Sequence, residues 1–152
     1  MDRVAAQRAA CGEAGGARPA LAVVSDDEGR LSVCAGKVYL VSGGLGSVGF
    51  AMARRLVERG ATSVVLLSRR TRAEGEVGAW IEACAARGVA VQLCSVDVGD
   101  EQGMRQLVQR LATEGEVGGV VHAAGTISYV GLGEMGNEAW WAVCKPKVQG
   151  AR

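Results

Sequence analysis

The run Val38-Tyr-Leu-Val-Ser42, breaking at once into Gly43-Gly-Leu-Gly-Ser-Val-Gly49, constrains this chain more than any other feature. An uninterrupted apolar run of that kind is the mark of a parallel strand covered on both faces. The glycines that follow place Gly44, Gly46 and Gly49 in G-x-G-x-x-G register, at the opening of a helix-like segment. Between a strand and a helix, that spacing reads as a phosphate-binding turn rather than a chance cluster. Gly44 is expected to permit the tight turn, Gly46 to admit a pyrophosphate to the backbone, and Gly49 to let the helix approach the sheet. Gly43 and Leu45 complete the loop. The free N–H groups and positive dipole end of the helix then face the phosphates.

Downstream of Lys37 the pattern is regular. Lys37–Ser42, Ser63–Ser68, Val89–Val96 and Val117–Ala123 are apolar, strand-like runs. Between them lie helical patterns: Ser47–Arg59 through Val48, Met52, Ala53 and Leu56; Glu76–Arg87 through Val77, Trp80, Ile81 and Cys84; and Asp100–Thr113 through Met104, Leu107, Val108 and Leu111. Gly60 and Gly88 stand where helices end. A last helix is expected from about Asn137, kinked or interrupted at Pro146. Strands alternating with helices predict an α/β fold, a Rossmann-type doubly wound parallel sheet with right-handed crossovers. Residues 1–36 read as a lead-in or linker, with possible short strands at Ala20–Ser25 and Arg30–Cys34; residues 37–152 form the cofactor-binding domain, or part of one.

The whole chain has 152 residues, enough for one domain, and a net charge of +1. That balance gives no electrostatic case for nucleic acid or an anionic membrane. No apolar run approaches the roughly 20 residues of a membrane span. The five cysteines are widely spaced, with no C-x-x-C. They read as buried or incidental thiols in a reducing compartment, without a disulfide framework or a metal site. Residues 1–18 contain Asp2 and Glu13, which suits a secretory signal poorly and makes a weak organelle-transit segment, so the expected location is cytoplasmic.

Further candidate site residues fall at the carboxyl ends of the later strands. Ser68-Arg69-Arg70 ends the second strand, where an acidic residue would accept from a ribose 2′-hydroxyl and an arginine instead accommodates a 2′-phosphate. Arg69 offers permanent charge and planar donors, and Ser68 a hydroxyl. The reading is therefore NADP rather than NAD. Asp97-Val98 ends the third strand, where the carboxylate suits an adenine amino group and the valine its ring, although a turn or cap role fits Asp97 as well. His122-Ala123-Ala124-Gly125 ends the fourth, its small residues letting backbone approach a nicotinamide ribose. His122 reads as a hydrogen-bonded structural histidine, with no acid or nucleophile near it in sequence.

Taken together, Val41-Ser-Gly-Gly-Leu-Gly46, Leu66-Leu-Ser-Arg-Arg70, Asp97-Val98, Val121-His-Ala-Ala-Gly125 and Pro146-Lys-Val-Gln-Gly150 resemble the ketoreductase domain of polyketide synthases and of animal-type fatty acid synthases. Both belong to the short-chain dehydrogenase/reductase superfamily. The resemblance runs from about Lys37 to Arg152 and implies NADPH-dependent reduction of a β-ketoacyl thioester, carried on an acyl carrier protein, to the β-hydroxyacyl form. The family's active-site lysine falls on Lys147, with Lys145 as its neighbour if the register slips. The family's Ser, Tyr and Asn lie beyond Arg152, so the chain is expected to be C-terminally truncated and to depend on the remainder of the reductase domain. Neither Tyr39 nor Tyr129 has the spacing to replace the missing tyrosine. An alternative is an NADP-binding module without catalysis. Ile127-Ser128-Tyr129 stands where many of these reductases carry Leu-Asp-Asp, which leaves the hydroxyl stereochemistry undetermined. Val117–Ala123 is expected to be an exposed apolar edge.

Overall fold

The computed structural model describes residues 32–131 and 133–151. Four strands, β1 (Val38–Ser42), β2 (Ser63–Ser68), β3 (Ala90–Ser95) and β4 (Val117–His122), alternate with helices α1 (Ser47–Glu58), α2 (Gly75–Ala86), α3 (Glu101–Glu114) and α4 (Asn137–Val148). All pairings are parallel and the spatial order is β3-β2-β1-β4. The chain thus winds outward from β1 through β2 to β3, then crosses back to place β4 on the other side of β1. That reversal at β1 leaves a crevice at the carboxyl ends of β1 and β4, the usual ligand position in open α/β sheets.

The side-chain period of two divides the buried strands between two cores. Tyr39 and Val41 of β1, with Val64 and Leu66 of β2, pack against Ala53, Leu56 and Val57 of α1 and Cys84 of α2. Val38, Leu40, Val65 and Leu67 face the other way, onto Leu107 and Leu111 of α3. Every residue of β1 is buried, which is why its sequence is continuous rather than alternating. The doubly wound architecture expected from the sequence is the one observed.

Several local details differ. On α1 the buried stripe is Gly49, Phe50, Ala53, Leu56 and Val57, spaced at one helical face. Val48 is 67% exposed, because at 100° per residue it lies off that stripe. Phe50 meets Trp80 edge-on, with ring centroids 5.4 Å apart, and so joins α1 to α2. Asp100 is the N-cap of α3, its carboxylate accepting from Gly103 N at 3.2 Å, so that helix begins one residue later than expected. Helix α4 runs through Pro146 to Val148 instead of stopping there. The proline sits in the last turn, where only one helical hydrogen bond is lost.

The expected strand Ala20–Ser25 lies outside the described residues, and the described end of Arg30–Cys34 is not a strand. Cys34 is disulfide-bonded, which corrects the reading of all five cysteines as thiols; Cys84, Cys94 and Cys144 are free. Wide spacing carries no record of which cysteines meet in space. Tyr39 secures this entry to the sheet: its buried hydroxyl accepts from Cys34 N at 2.7 Å. Its ring also occupies the space a side chain on Gly118 would need, beside the register shift between β1 and β4.

Among the described residues β4 is an edge strand, and Val120 is 61% exposed. An open apolar edge invites pairing with another chain. Sedimentation of this chain is therefore expected to show self-association at micromolar concentration; a monomer with a cooperative thermal transition would contradict this. A second expectation concerns Cys84, whose burial pushes its thiol above the ordinary range, with Arg87 opposing. The unfolded chain then loses this proton first, so the stability held at lower pH is lost as pH rises toward the folded value. The urea midpoint is expected to fall from about pH 8 upward, and Cys84→Ala to flatten that slope.

Candidate cofactor site

The loop after β1 closes through Gly46 N to the Gly43 carbonyl at 2.8 Å, and Gly44 N donates to the Leu67 carbonyl of β2 at 3.1 Å. The left-handed residue of the turn is Gly43, with φ +67°, rather than Gly44. A Cβ on Gly43 would stand 2.7 Å from the Ala123 carbonyl, so the position is closed by space as well as by conformation. Gly44 instead lies flat against β2, where a Cβ would meet Leu66 Cβ at 2.8 Å. A Cβ on Gly49 would run into the Gly43 carbonyl, so α1 can pack on the turn only with glycine there. The expected division of labour is thus shifted: Gly43 makes the turn, Gly44 seats it on the sheet, and Gly49 admits the helix.

Beside this turn opens a cleft of about 410 Å3. Gly43, Leu45 and Gly46 line one side; Ser68 and Arg69 come from the end of β2, Asp97 and Val98 from the end of β3, and Ala123, Ala124 and Gly125 from the end of β4. Four strand ends that are far apart in sequence meet here because parallel strands all point their carboxyl ends to one edge. Gly44 and Gly49 lie outside the lining, as their packing roles require. Among the described residues no side chain caps α1, so the N–H groups of its first turn are left for a ligand.

The side chains around the cleft hold distinct states. Ser68 Oγ accepts from Arg70 N at 3.1 Å, which leaves its hydroxyl proton to donate. Among the described residues the Arg69 guanidinium has no hydrogen bond or ion pair, whereas Arg70 donates to the Leu45 carbonyl at 3.3 Å and so braces β2 to the glycine turn. Asp97 spends Oδ1 on Gly99 N at 2.8 Å. The other oxygen has no partner among the described residues.

Helix α4 covers the cleft from the far side, contributing Ala142, Lys145 and Pro146 to its lining. Lys145 lies across Gly99. Lys147 reaches the loop after β4, where Nζ donates to the Thr126 carbonyl at 3.4 Å. It stands at the rim beside Gly125, not within the lining. Arg70 and Lys145, named in the sequence only as neighbours of Arg69 and Lys147, line the cleft, together with Thr126 and Ala142, which the sequence pattern did not single out; the helical rise of α4 brings 142, 145 and 146 onto one side, a signal that becomes readable only once Pro146 is known to lie inside the helix. His122 is exposed and bonded at both nitrogens, to Ser42 Oγ at 2.8 Å and to the Pro146 carbonyl at 2.9 Å. Of the tyrosines, Tyr39 is buried away from the cleft, and Tyr129 is 94% exposed.

A parallel sheet in this order, a glycine turn against an uncapped helix, and a cleft at the carboxyl ends of β1 and β4 define a Rossmann-type α/β domain. The KR domain model matches residues 37–152, and the chain belongs to that family as the N-terminal part of a polyketide synthase ketoreductase domain. Among similar proteins, polyketide synthase GfsA of Streptomyces halstedii is 39% identical over 112 residues, covering 74% of this chain and 2% of that protein. Prosolanapyrone synthase of Alternaria solani is 32% identical over 114 residues, covering 75% of this chain and 4% of that one. Among solved structures, the ketoreductase from the first module of phoslactomycin biosynthesis in Streptomyces sp. HK803 superposes with a TM-score of 0.69 at 38% identity, over 77% of this chain and 28% of that chain. The chain therefore spans under a third of that ketoreductase and a few per cent of the curated synthases. Among the described residues, no helix is long and apolar enough to cross a membrane.

Gly43→Ala is expected to destabilise the chain by about 1–3 kcal/mol more than Gly46→Ala in urea titrations, since Gly43 is left-handed and its Cβ would stand 2.7 Å from the Ala123 carbonyl, whereas a Cβ on Gly46 meets the Gly43 carbonyl at 3.2 Å.

Proposed function

We propose that the cleft binds NADPH and that the chain is the cofactor-holding portion of a ketoreductase acting on a β-ketoacyl thioester carried by an acyl carrier protein. The observation that carries this reading is Arg69: a guanidinium at the end of β2, unpaired among the described residues and in the same cleft as the glycine turn. A guanidinium matches a phosphate with parallel donors, whereas a carboxylate there would repel one.

The residues present fit a phosphorylated dinucleotide. Positions 43, 44 and 49 have no room for side chains, which keeps the loop backbone close to the uncapped start of α1. Leu45 and Gly46 would face the pyrophosphate, Ser68 and Arg69 the 2′-phosphate, Asp97 and Val98 the adenine, and Ala123 to Gly125 the nicotinamide ribose. When bound, NADPH supplies the hydride for carbonyl reduction. Lys147, at the Gly125 end, is assigned to that chemistry by family resemblance, as a charge held near the reacting carbonyl. The hydroxyl proton must come from another group.

A second reading, NADP binding without chemistry by this chain alone, is favoured by the state of the tyrosines. Tyr39, inside the first strand, has its hydroxyl bonded at Cys34, and Tyr129 is 94% exposed, without a hydrogen-bond partner among the described residues. Neither is set to donate a proton beside Lys147. The remainder of a reductase domain is then the required partner.

Fluorescence titration is expected to give tighter binding of NADPH than of NADH. Arg69→Ala should weaken NADPH by about tenfold or more, near 1.4 kcal/mol, with little change for NADH. Equal loss for both cofactors would remove the 2′-phosphate assignment, and turnover of a β-ketoacyl thioester by this chain alone would overturn the second reading.

A further inference from the structure

We propose that Ser42, His122 and the Pro146 carbonyl form a positioning relay by which the end of β1 sets both the loop Ala123–Gly125 and Lys147. The inference rests on the cofactor reading above for its consequence, and on hydrogen-bond geometry for its existence.

A serine hydroxyl has one proton and two lone pairs. Ser42 Oγ accepts from Ala124 N at 3.1 Å and from Ala123 N at 3.1 Å, the latter N–H being shared with the Ser42 carbonyl at 3.2 Å, so both amides present donors to the hydroxyl oxygen. Its proton is therefore donated to His122 Nδ1 at 2.8 Å. With Nδ1 accepting, the neutral imidazole carries its proton on Nε2, and this donates to the Pro146 carbonyl at 2.9 Å. The direction of each bond follows from the one before it.

The Pro146 carbonyl needs such a donor. It lies in the last turn of α4, and Gly150 N, the donor four residues on, is spent on the Lys145 carbonyl at 3.2 Å. The imidazole thus caps the helix end from the neighbouring strand. The peptide it holds leads directly into Lys147, whose Nζ lies 3.1 Å from where a Cβ on Gly125 would stand. One buried hydroxyl is accordingly connected to two parts of the nicotinamide end: through backbone amides to the loop, and through the imidazole to the lysine opposite it. His122 touches neither cofactor nor substrate in this arrangement. It is a positioning residue.

His122 is the chain's one histidine, so 15N imidazole labelling of the intact chain gives a single, unambiguous signal set. The expected spectrum is the Nε2–H tautomer with a hydrogen-bonded, unprotonated Nδ1; an Nδ1–H tautomer overturns the relay. The functional arm uses NADPH emission, whose enhancement on binding reports immobilisation of the nicotinamide end. His122→Phe should at least halve the enhancement at saturation while Kd changes by less than about threefold, and Ser42→Thr, which keeps the hydroxyl, should retain the enhancement. Arg69→Ala should do the reverse, raising Kd with full enhancement at saturation. Full enhancement in His122→Phe would overturn the positioning role. Failure of the unsubstituted chain to bind NADPH would instead sink the cofactor reading, and if His122→Phe does not fold, the tautomer of the unsubstituted chain still decides whether the relay exists.

Discussion

The site is organised around a hydroxyl. Ser42 is the one polar residue buried among the described residues, at the end of a strand covered on both faces. A buried hydroxyl without partners is costly, and this one is fully engaged, by two amides of the crossing loop and one imidazole. Because β1 is an inner strand with every residue buried, whatever is tied to its end is tied to the core of the sheet. The glycine turn begins at the next residue. The loop after β4, the close of α4 and the turn therefore share one fixed origin, and the cleft between them has defined walls before any ligand enters.

Much of this architecture is legible in the sequence because burial writes itself as pattern. Strands β1 and β2 are continuous apolar runs since helices cover both their faces, and β2 begins and ends where the residues predict. The cleft residues at 68–69, 97–98 and 123–125 are legible for a topological reason: in a parallel sheet, residues that follow strands gather at one edge. What is not legible depends on choices between chemically equivalent neighbours. Gly43 and Gly44 are the same residue type, and only the packing of Gly44 on Leu66 decides which of them takes the left-handed turn. Lys145 and Lys147 likewise differ only in helical phase, which places one over Gly99 and the other beside Gly125.

Two further features left no usable trace. Ser42 reads as the ordinary polar end of an apolar strand, and its three partners come from about 80 residues away. Hydrogen-bond networks of that range are properties of topology and have no periodicity of their own. The bond at Cys34 is similar, since cysteine spacing does not encode distance in the fold. By contrast Tyr39 could be discounted as a catalytic group from sequence alone, because a residue inside a strand buried on both faces has no route to a substrate, and its hydroxyl is held at Cys34.

The brace between Arg70 and the Leu45 carbonyl has a mechanical consequence. It joins the strand end that carries Arg69 to the loop assigned to the pyrophosphate, across the mouth of the same cleft. An anion that draws the Arg70 guanidinium toward itself must loosen that strut, and so exchanges stiffness at one end of the dinucleotide for grip at the other. In the NADPH reading proposed above, a ligand lacking the 2′-phosphate would leave the strut in place. Cofactor choice would then register twice, once as affinity at the strand end and again as the freedom of the glycine turn.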